Sequence, residues 1–287
     1  MKIAFIGSAS SWYFQDLQRA CASEHQLTPY SFFDLRSHVS GTSSRSYLAD
    51  TPVSEFDAVL VRVMPPGSLE QVVYRMDALQ DIVHSGVPVV NSPKAIEAAV
   101  DKYLCLAKLA RAGIQVPHTL VCQTTDQGLE AFDELGGDVL IKPIFGGEGR
   151  GIVRATDKDL FYRCIRAVEN FAGVIYIQEF IRHKGFDLRL FVLGEQVFAM
   201  QRHNGGHWKT NISAGATGIA HQPSDAEIQL ARKSACAIDA QIAGVDVVVD
   251  PDGTPYVIEV NAVPGWKALS AATGIDVAAD VLKFLAR

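Results

Sequence analysis

Residues 245 to 261, VDVVVDPDGTPYVIEVN, limit the possible folds more than any other stretch of this 287-residue chain. Two runs of branched apolar residues flank Asp252-Gly253, a dipeptide preferred at the centre of a tight hairpin turn. A turn centred there sets Asp246 directly across from Glu259. Asn261, two residues further on, shares the face of Glu259, while Ile258 and Val260 turn to the other side. Two carboxylates opposed on a sheet repel one another unless a cation, a proton or a Lys or Arg partner intervenes. Oxygen donors of the Asp, Glu and Asn kind suit Mg²⁺ or Mn²⁺, so Asp246, Glu259 and Asn261 are candidate metal ligands.

The rest of the chain supplies the layers such a hairpin needs. Strand and helix alternate in the first third: KIAFIG, a helix from Phe14 to Ser23, a strand near Tyr30 to Phe33, FDAVLVRV, a helix from Ser68 to His84, and VPVV. This order implies a parallel sheet covered on both faces. IGSASS has one glycine where a dinucleotide fingerprint needs three. The stretch RSHVSGTSSRSYLADT has the composition of a surface loop. NSP leads into KAIEAAVDKYLCLAKLARAG, expected as one helical run closed by Gly113.

Beyond it come a strand around His118 to Gln123, a helix from Asp126 to Leu135, DVLIK, a glycine loop, a strand near Ile152 to Arg154 and a helix from Asp157 to Phe171. Then VIYIQEF, FDLRLFVLG and EQVFAMQRH follow as antiparallel strands, with a helix from Asp225 to Ala243. The expected fold class is α/β and α+β, divided as 1–92, 93–175 and 176–287.

Composition narrows the partners. A net charge of −6 offers no general surface for nucleic acid or anionic membrane, so a phosphate ligand must be held by local cations. The apolar run after Met1 is short, and no stretch approaches a membrane span, which reads as an unprocessed cytoplasmic chain. Five scattered cysteines without a CxxC pair fit reduced thiols. The histidines form no HxH or HExxH pattern, and GxSxG is absent, so zinc and serine-hydrolase chemistry lack support.

Local cations are present. In IKPIFGGEGRGI, Gly146, Gly147, Gly149 and Gly151 let backbone N–H groups converge on one anion, with Lys142 beside them. The loop lacks the GK[ST] of a Walker A sequence. Arg189, Arg202 and Lys209 fall among the C-terminal strands, and Arg189, set between apolar neighbours, asks for a carboxylate or phosphate partner. Trp208 and Trp266 stand beside polar loop motifs, where they are placed to line a pocket.

Together DK at 101–102, KPIFGGEGRGI, QEFI, GFDLRLFVLG, WKTNISAGA and AGVD followed by VIEVNAVPGW resemble the ATP-grasp superfamily, in its RimK-like branch of carboxylate–amine ligases. The resemblance covers nearly the whole chain. It implies an ATP-grasp fold, with an N-terminal pre-ATP-grasp domain, a central lid and a C-terminal domain carrying the metal site. By that similarity Lys102, Lys142, Lys209 and Asn211 meet the phosphates, Gly146, Gly147 and Gly149 close over them, and Asp187 lies near the ribose. Gln178, Glu179, Phe180 and Ile181 meet adenine; Asp246, Glu259 and Asn261 match the metal ligands.

The implied reaction joins glutamate or another amino acid to a small carboxylated acceptor such as a pterin cofactor. ATP and Mg²⁺ or Mn²⁺ serve it through an acyl phosphate, with Arg189 and Arg202 as catalytic groups. WKTNISAGA and VPGW resemble the pterin-cofactor ligases more than those acting on ribosomal protein. The alternatives are a ligase acting on a protein C-terminus and an ATP-binding regulator without catalysis. A homo-oligomer is compatible with the sequence.

Overall fold

The computed structural model describes residues 1–287. Its N-terminal unit is a parallel sheet of β1 (Lys2–Ile6), β2 (Gln26–Tyr30), β6 (Ala58–Val61) and β7 (Val89–Val90), in the order β2-β1-β6-β7. All of β6 and all but Lys2 of β1 are buried, as strands covered on both faces must be. The covering helices start where their caps dictate. For α1 (Trp12–Ala20), the Ser11 hydroxyl accepts from the Phe14 N–H, and α2 (Leu69–His84) opens on a Ser68–Gln71 capping box.

Between β2 and β6, the stretch expected as a loop is a three-stranded antiparallel sheet of β3 (Leu35–Ser40), β4 (Ser43–Leu48) and β5 (Thr51–Pro52). Leu35, Leu48 and Val53 anchor it in the N-terminal core. The residues between are mostly Ser, Arg and His, so apolar alternation gives no signal. The expected strand over Tyr30 to Phe33 also ends early, at Tyr30, and a 3₁₀ turn takes Phe32–Asp34.

The expected helical run after Ser92 is two helices, α3 (Pro93–Val100) and α4 (Lys102–Arg111). Asp101 is extended between them, and its carboxylate accepts from the Leu104 N–H at 2.9 Å, capping α4. Aspartate favours that role over a helix interior. The break leaves Lys102 on the first turn of α4, where its N–H reaches the Ile144 carbonyl beside the glycine loop.

A central antiparallel sheet has the order β10-β9-β11-β8, from β8 (Thr119–Cys122), β9 (Val139–Lys142), β10 (Val153–Ala155) and β11 (Ile175–Glu179). Helices α5 (Thr125–Glu134) and α6 (Lys158–Asn170) bury Phe132, Phe161 and Ile165 against it. The C-terminal sheet, order β14-β13-β12-β15-β16, is built from β12 (Phe186–Leu193), β13 (Gln196–His203), β14 (Thr217–His221), β15 (Ile242–Val249) and β16 (Pro255–Asn261). Helix α7 (Asp225–Ala237) precedes β15 and stops short of the expected end at Ala243, which lies in the strand. Helices α8 (Lys267–Thr273) and α9 (Val277–Leu285) close the chain.

The period of two divides β12 and β15. Leu188, Leu190, Val192, Ala243, Val245 and Val247 share one core with α3, α4 and α7. On the opposite face, Phe191, Leu193 and Ile242 join Ile3, Phe5, Phe14, Trp266 and α9 in a second core, which fuses the N-terminal unit to the C-terminal sheet. Asp187, Arg189 and Asp246 also belong to that opposite face. By shared core, we propose that α3 and α4 belong with the C-terminal sheet and that the lid runs from β8 through β11, rather than over 93–175.

Asn91 locks the two units together. Its amide NH₂ donates to the Ile242 and Ala262 carbonyls at 2.6 and 2.5 Å, and its oxygen accepts from the Gln241 and Ile242 N–H groups at 2.8 and 2.9 Å. The residue is buried, so Asn91→Ala strands partners that water cannot reach. We expect that change to destabilise the fold by about 3 kcal/mol, read as a lower denaturant midpoint. A midpoint within error of wild type would contradict the clamp.

Candidate active site

Four buried or nearly buried charges stand at the centre of the C-terminal sheet. β12 pairs Asp187 with Arg202 of β13 and Arg189 with Asp246 of β15. Arg202 Nε donates to Asp187 Oδ1 at 2.7 Å, and its Nη2 lies 2.9 Å from Asp246 Oδ2. Thr210 Oγ donates to the other Asp187 oxygen at 2.7 Å. Burial works against the Arg202 charge, but Asp246 and Asp187 overcome it and hold the guanidinium protonated above its usual range. Arg189 Nε is 2.6 Å from Asp246 Oδ1, yet the two are not aligned as donor and acceptor, so that oxygen keeps a free lone pair.

β16 brings Glu259 opposite Asp246 by a route the sequence does not reveal. Val249 pairs with Pro255 and Val247 with Val257, which centres the turn on Asp252 rather than between Asp252 and Gly253. A bulge then inserts Ile258 and restores the facing pair Asp246–Glu259. Because of that extra residue, Ile258 lines the same cleft as Glu259, where strict alternation would turn it away. Asn261 lies off the cleft, and its side-chain oxygen accepts from the Val263 N–H at 2.8 Å. Arg189 also lies off it, with its guanidinium over Gly244; a Cβ there would be 2.4 Å from Nη1.

The facing wall comes from the central sheet. Leu140 and Lys142 project from alternate positions of β9, and Gln178 comes from β11. Lys142 Nζ donates to Gln178 Oε1 at 2.5 Å, and Gln178 Nε2 donates to Thr119 at 2.9 Å. Burial pushes the Lys142 ammonium down to about 8; Glu259 and Asp246 oppose the shift, and Lys102 adds to it. The Lys102 ammonium donates to the Gly146 carbonyl, and Lys209 Nζ donates to the Ile152 carbonyl at 2.9 Å. These contacts tie both ends of the glycine loop to the cleft. Gly149 lines the cleft at φ +71, where a Cβ would be 2.4 Å from Asn211 Oδ1, whereas Gly146 and Gly147 stand outside the lining.

Beyond Gln178 the chain turns apolar. Glu179, Phe180 and Ile181 line the cleft, with the Glu179 carboxylate accepting from the His118 N–H at 2.7 Å. Arg154 stacks over Phe180 at 3.6 Å. Pro117, Ile152, His183, Thr210 and Val248 complete the wall, none of which sequence reasoning had selected. Val248 was detectable as the alternate neighbour of Asp246; Pro117 and His183 left no such sign. Trp208 lines the cleft as expected, but Trp266 is fully buried in the second core, where its indole N–H donates to Asp16.

The residues fit a nucleotide held with a divalent cation. Lys102, Lys142, Arg202 and Lys209 line the cleft against Glu179, Asp187, Asp246 and Glu259, so its formal charge balances. A bare triphosphate would meet as much negative as positive charge. Arriving with Mg²⁺, it would satisfy the free lone pair of Asp246 and relieve the opposed carboxylates.

Fold and cleft define an ATP-dependent ligase of the ATP-grasp class, an enzyme that forms carbon–nitrogen bonds. The model of the RimK-like ATP-grasp domain matches residues 99–285, and the chain belongs to that family. A tetrahydromethanopterin:alpha-L-glutamate ligase of Methanosarcina acetivorans is 31% identical over 262 residues, 81% of each chain. A ribosomal protein bS6–L-glutamate ligase of Shigella flexneri is 28% identical over all of this chain and 96% of its own. Among solved structures, the ATP-grasp ligase PsnB, complexed with a precursor variant, Mg and ADP, matches with a TM-score of 0.76 at 20% identity. That match covers 99% of this chain and 97% of PsnB. No helix is long and apolar enough to cross a membrane.

Lys142 supplies a pH test. Its ammonium dominates below about 8 and its neutral amine above, while a bound phosphate favours the ammonium. MgADP affinity should therefore fall as pH rises through 8, approaching roughly tenfold per unit. Lys142→Met should bind weakly with no such slope. Calorimetric titration between pH 7 and 9.5 checks this, and an equal slope in the variant would remove Lys142 from the phosphate site.

Proposed function

We propose that this protein uses ATP to activate the carboxylate of a small acid and joins it to the amino group of glutamate or a similar amino acid. Three lysines and the opposed Asp246–Glu259 pair share one cleft, and this observation carries the reading. In the first step an acceptor carboxylate oxygen forms a bond to the γ-phosphorus, and the bond to ADP breaks. In the second, the amine nitrogen attacks the acyl carbon, phosphate leaves, and the nitrogen gives up a proton. No enzyme nucleophile is required, so the protein contributes position and charge.

Within this reading each side chain has a task. Lys102, Lys142 and Lys209 hold the phosphates, with Gly149 and Asn211 at the lip of the loop. Gln178 aligns Lys142, while Glu179, Phe180 and Ile181 frame the base and Asp187 anchors Arg202. Arg202 faces the charge that develops on the transferred phosphoryl group and the acyl oxygen, and Arg189, off the cleft, supports Asp246 by donating from Nη2 to Oδ2 at 3.1 Å. Asp246 and Glu259 would hold Mg²⁺ or Mn²⁺, whose bound form would neutralise phosphate charge, with Asn261 at the rim. Closure of the glycine loop would keep water from the acyl phosphate.

A small acceptor is favoured over a protein C-terminus by the likeness of WKTNISAGA and VPGW to the pterin-cofactor ligases. The 31% identity to the archaeal glutamate ligase supports the same choice.

The test is phosphate release from ATP with Mg²⁺, glutamate and pooled carboxylic acids, followed by mass spectrometry for a glutamyl increment. We expect release that depends on both substrates, reduced at least a hundredfold in a folded Glu259→Ala variant. Wild-type turnover in that variant would overturn the metal assignment. No release above background with any pair of acid and amine would favour the regulator.

A further inference from the structure

Arg62 is a cation without a counter-charge, set where the fold prepares a ligand crevice. The first sheet has the order β2-β1-β6-β7: the chain winds from β1 outward to β2, then crosses β1 to reach β6. The winding therefore reverses between β1 and β6, and in open α/β sheets ligands bind at the carboxyl ends of the strands flanking such a reversal. Arg62 is the first residue beyond β6, and its N–H donates to the carbonyl of Ile6, the last residue of β1. Its side chain thus starts at the mouth of that crevice.

No carboxylate of the protein lies within ion-pair distance of Arg62. Its one side-chain hydrogen bond is from Nη2 to the Pro264 carbonyl at 2.5 Å, and its buried Nε has no partner. The guanidinium stacks 4.5 Å from the Trp266 ring and 5.5 Å from the Tyr13 ring. Burial lowers it to about 10, below the usual range of arginine, and no carboxylate offsets the loss. A structural tie between aromatic rings has no need of a positive charge; Met or Gln would stack there without that penalty.

The same spot adjoins the reaction centre. Pro264, which Arg62 holds by its carbonyl, also packs beside Gly244 with the Arg189 guanidinium. Tyr13 Oη lies against Gly265, so close that a Cβ there would be 2.2 Å away. The Tyr13 ring lies 5.5 Å from the Arg62 guanidinium and meets the Trp266 ring edge-on at 5.0 Å. Burial raises the Tyr13 phenol above its usual range, and the charge of Arg62 opposes the shift.

Building on the ligase reading, we propose that Arg62, with Tyr13, binds a carboxylate of a substrate that is not the one activated, and so sets which acids or amino acids the enzyme accepts. Arg62 offers Nη1, which has no protein partner, beside Nη2 to that carboxylate, in the fork geometry that arginine provides and lysine does not. Either substrate could carry the group: the α- or side-chain carboxylate of the amino acid, or a second carboxylate of the acceptor.

Full-length Arg62→Met and Arg62→Lys are compared with wild type in ATP-dependent phosphate release, varying ATP, L-glutamate and acid in turn. We expect Arg62→Met to raise the KM of one substrate at least tenfold, the scale of a lost charge-assisted pair, with the KM of ATP unchanged. Arg62→Lys should recover part of that loss. A rise in the KM of L-glutamate assigns the carboxylate to the amino acid, and a rise in that of the acid assigns it to the acceptor. If both KM values stay within twofold, or only kcat falls, Arg62 is a structural tie and the proposal fails.

If Arg62→Met does not fold, the arms are Arg62→Lys and the same kinetics on wild type with γ-aminobutyrate, which lacks the α-carboxylate. Unchanged KM values in both arms overturn the site. If wild type releases no phosphate, the ligase reading fails and the site is tested alone. L-glutamate or one of the pooled carboxylic acids should then raise the melting temperature of wild type more than that of Arg62→Lys, and no difference with any of them overturns the proposal.

Discussion

The structure depends on a set of charges that an apolar sheet would not hold by itself. Asp187, Arg189, Arg202 and Asp246 lie on β12, β13 and β15, whose other face is aliphatic. Ions taken from water repay their desolvation only when their geometry is good and their remaining lone pairs are used. Arg202 meets both aspartates and Thr210 completes Asp187, so that half of the set is satisfied. Asp246 Oδ1 is not, and Glu259 stands directly across from it. The place where the network remains incomplete is the place where the cleft opens to the lysines.

The surroundings serve to hold that incomplete corner in place. The bulge at Ile258 turns Glu259 toward Asp246 and sends an apolar side chain into the same cleft. The break at Asp101 starts a helix so that Lys102 reaches the glycine loop. Asn91 fastens the first sheet to the strands that carry Asp246 and Glu259, and the second core extends from β1 to α9. The cleft is thus formed between two packed bodies, with a glycine loop tied at both ends across its mouth.

Much of this was legible in the sequence, because burying charge is costly and costly residues stand out. Asp246, Glu259, Lys142 and Arg202 interrupt apolar strands, and each lines the cleft. The glycine loop was legible from its density of glycine, though only Gly149 of the three chosen faces inward. Other features followed from contacts that no local pattern records. The β3–β5 sheet is polar on both faces, so its anchors Leu35 and Leu48 stand alone. The bulge depends on pairing across the hairpin, and the expected facing pair emerged although the turn sits half a residue away. Trp266 was misplaced because its polar neighbours suggested a pocket, whereas its ring completes a core shared with β1. Arg62 was passed over at the end of FDAVLVRV, where a charge after a strand is ordinarily solvated.

The central claim is that Asp246 and Glu259 together seat a divalent cation that carries the nucleotide. Titrating ADP into the protein with and without Mg²⁺, for wild type and for Asp246→Asn combined with Glu259→Gln, tests it most directly. The account predicts that Mg²⁺ strengthens ADP binding to wild type at least tenfold and that the double variant, still folded, loses this gain. An undiminished Mg²⁺ effect in the double variant would contradict it.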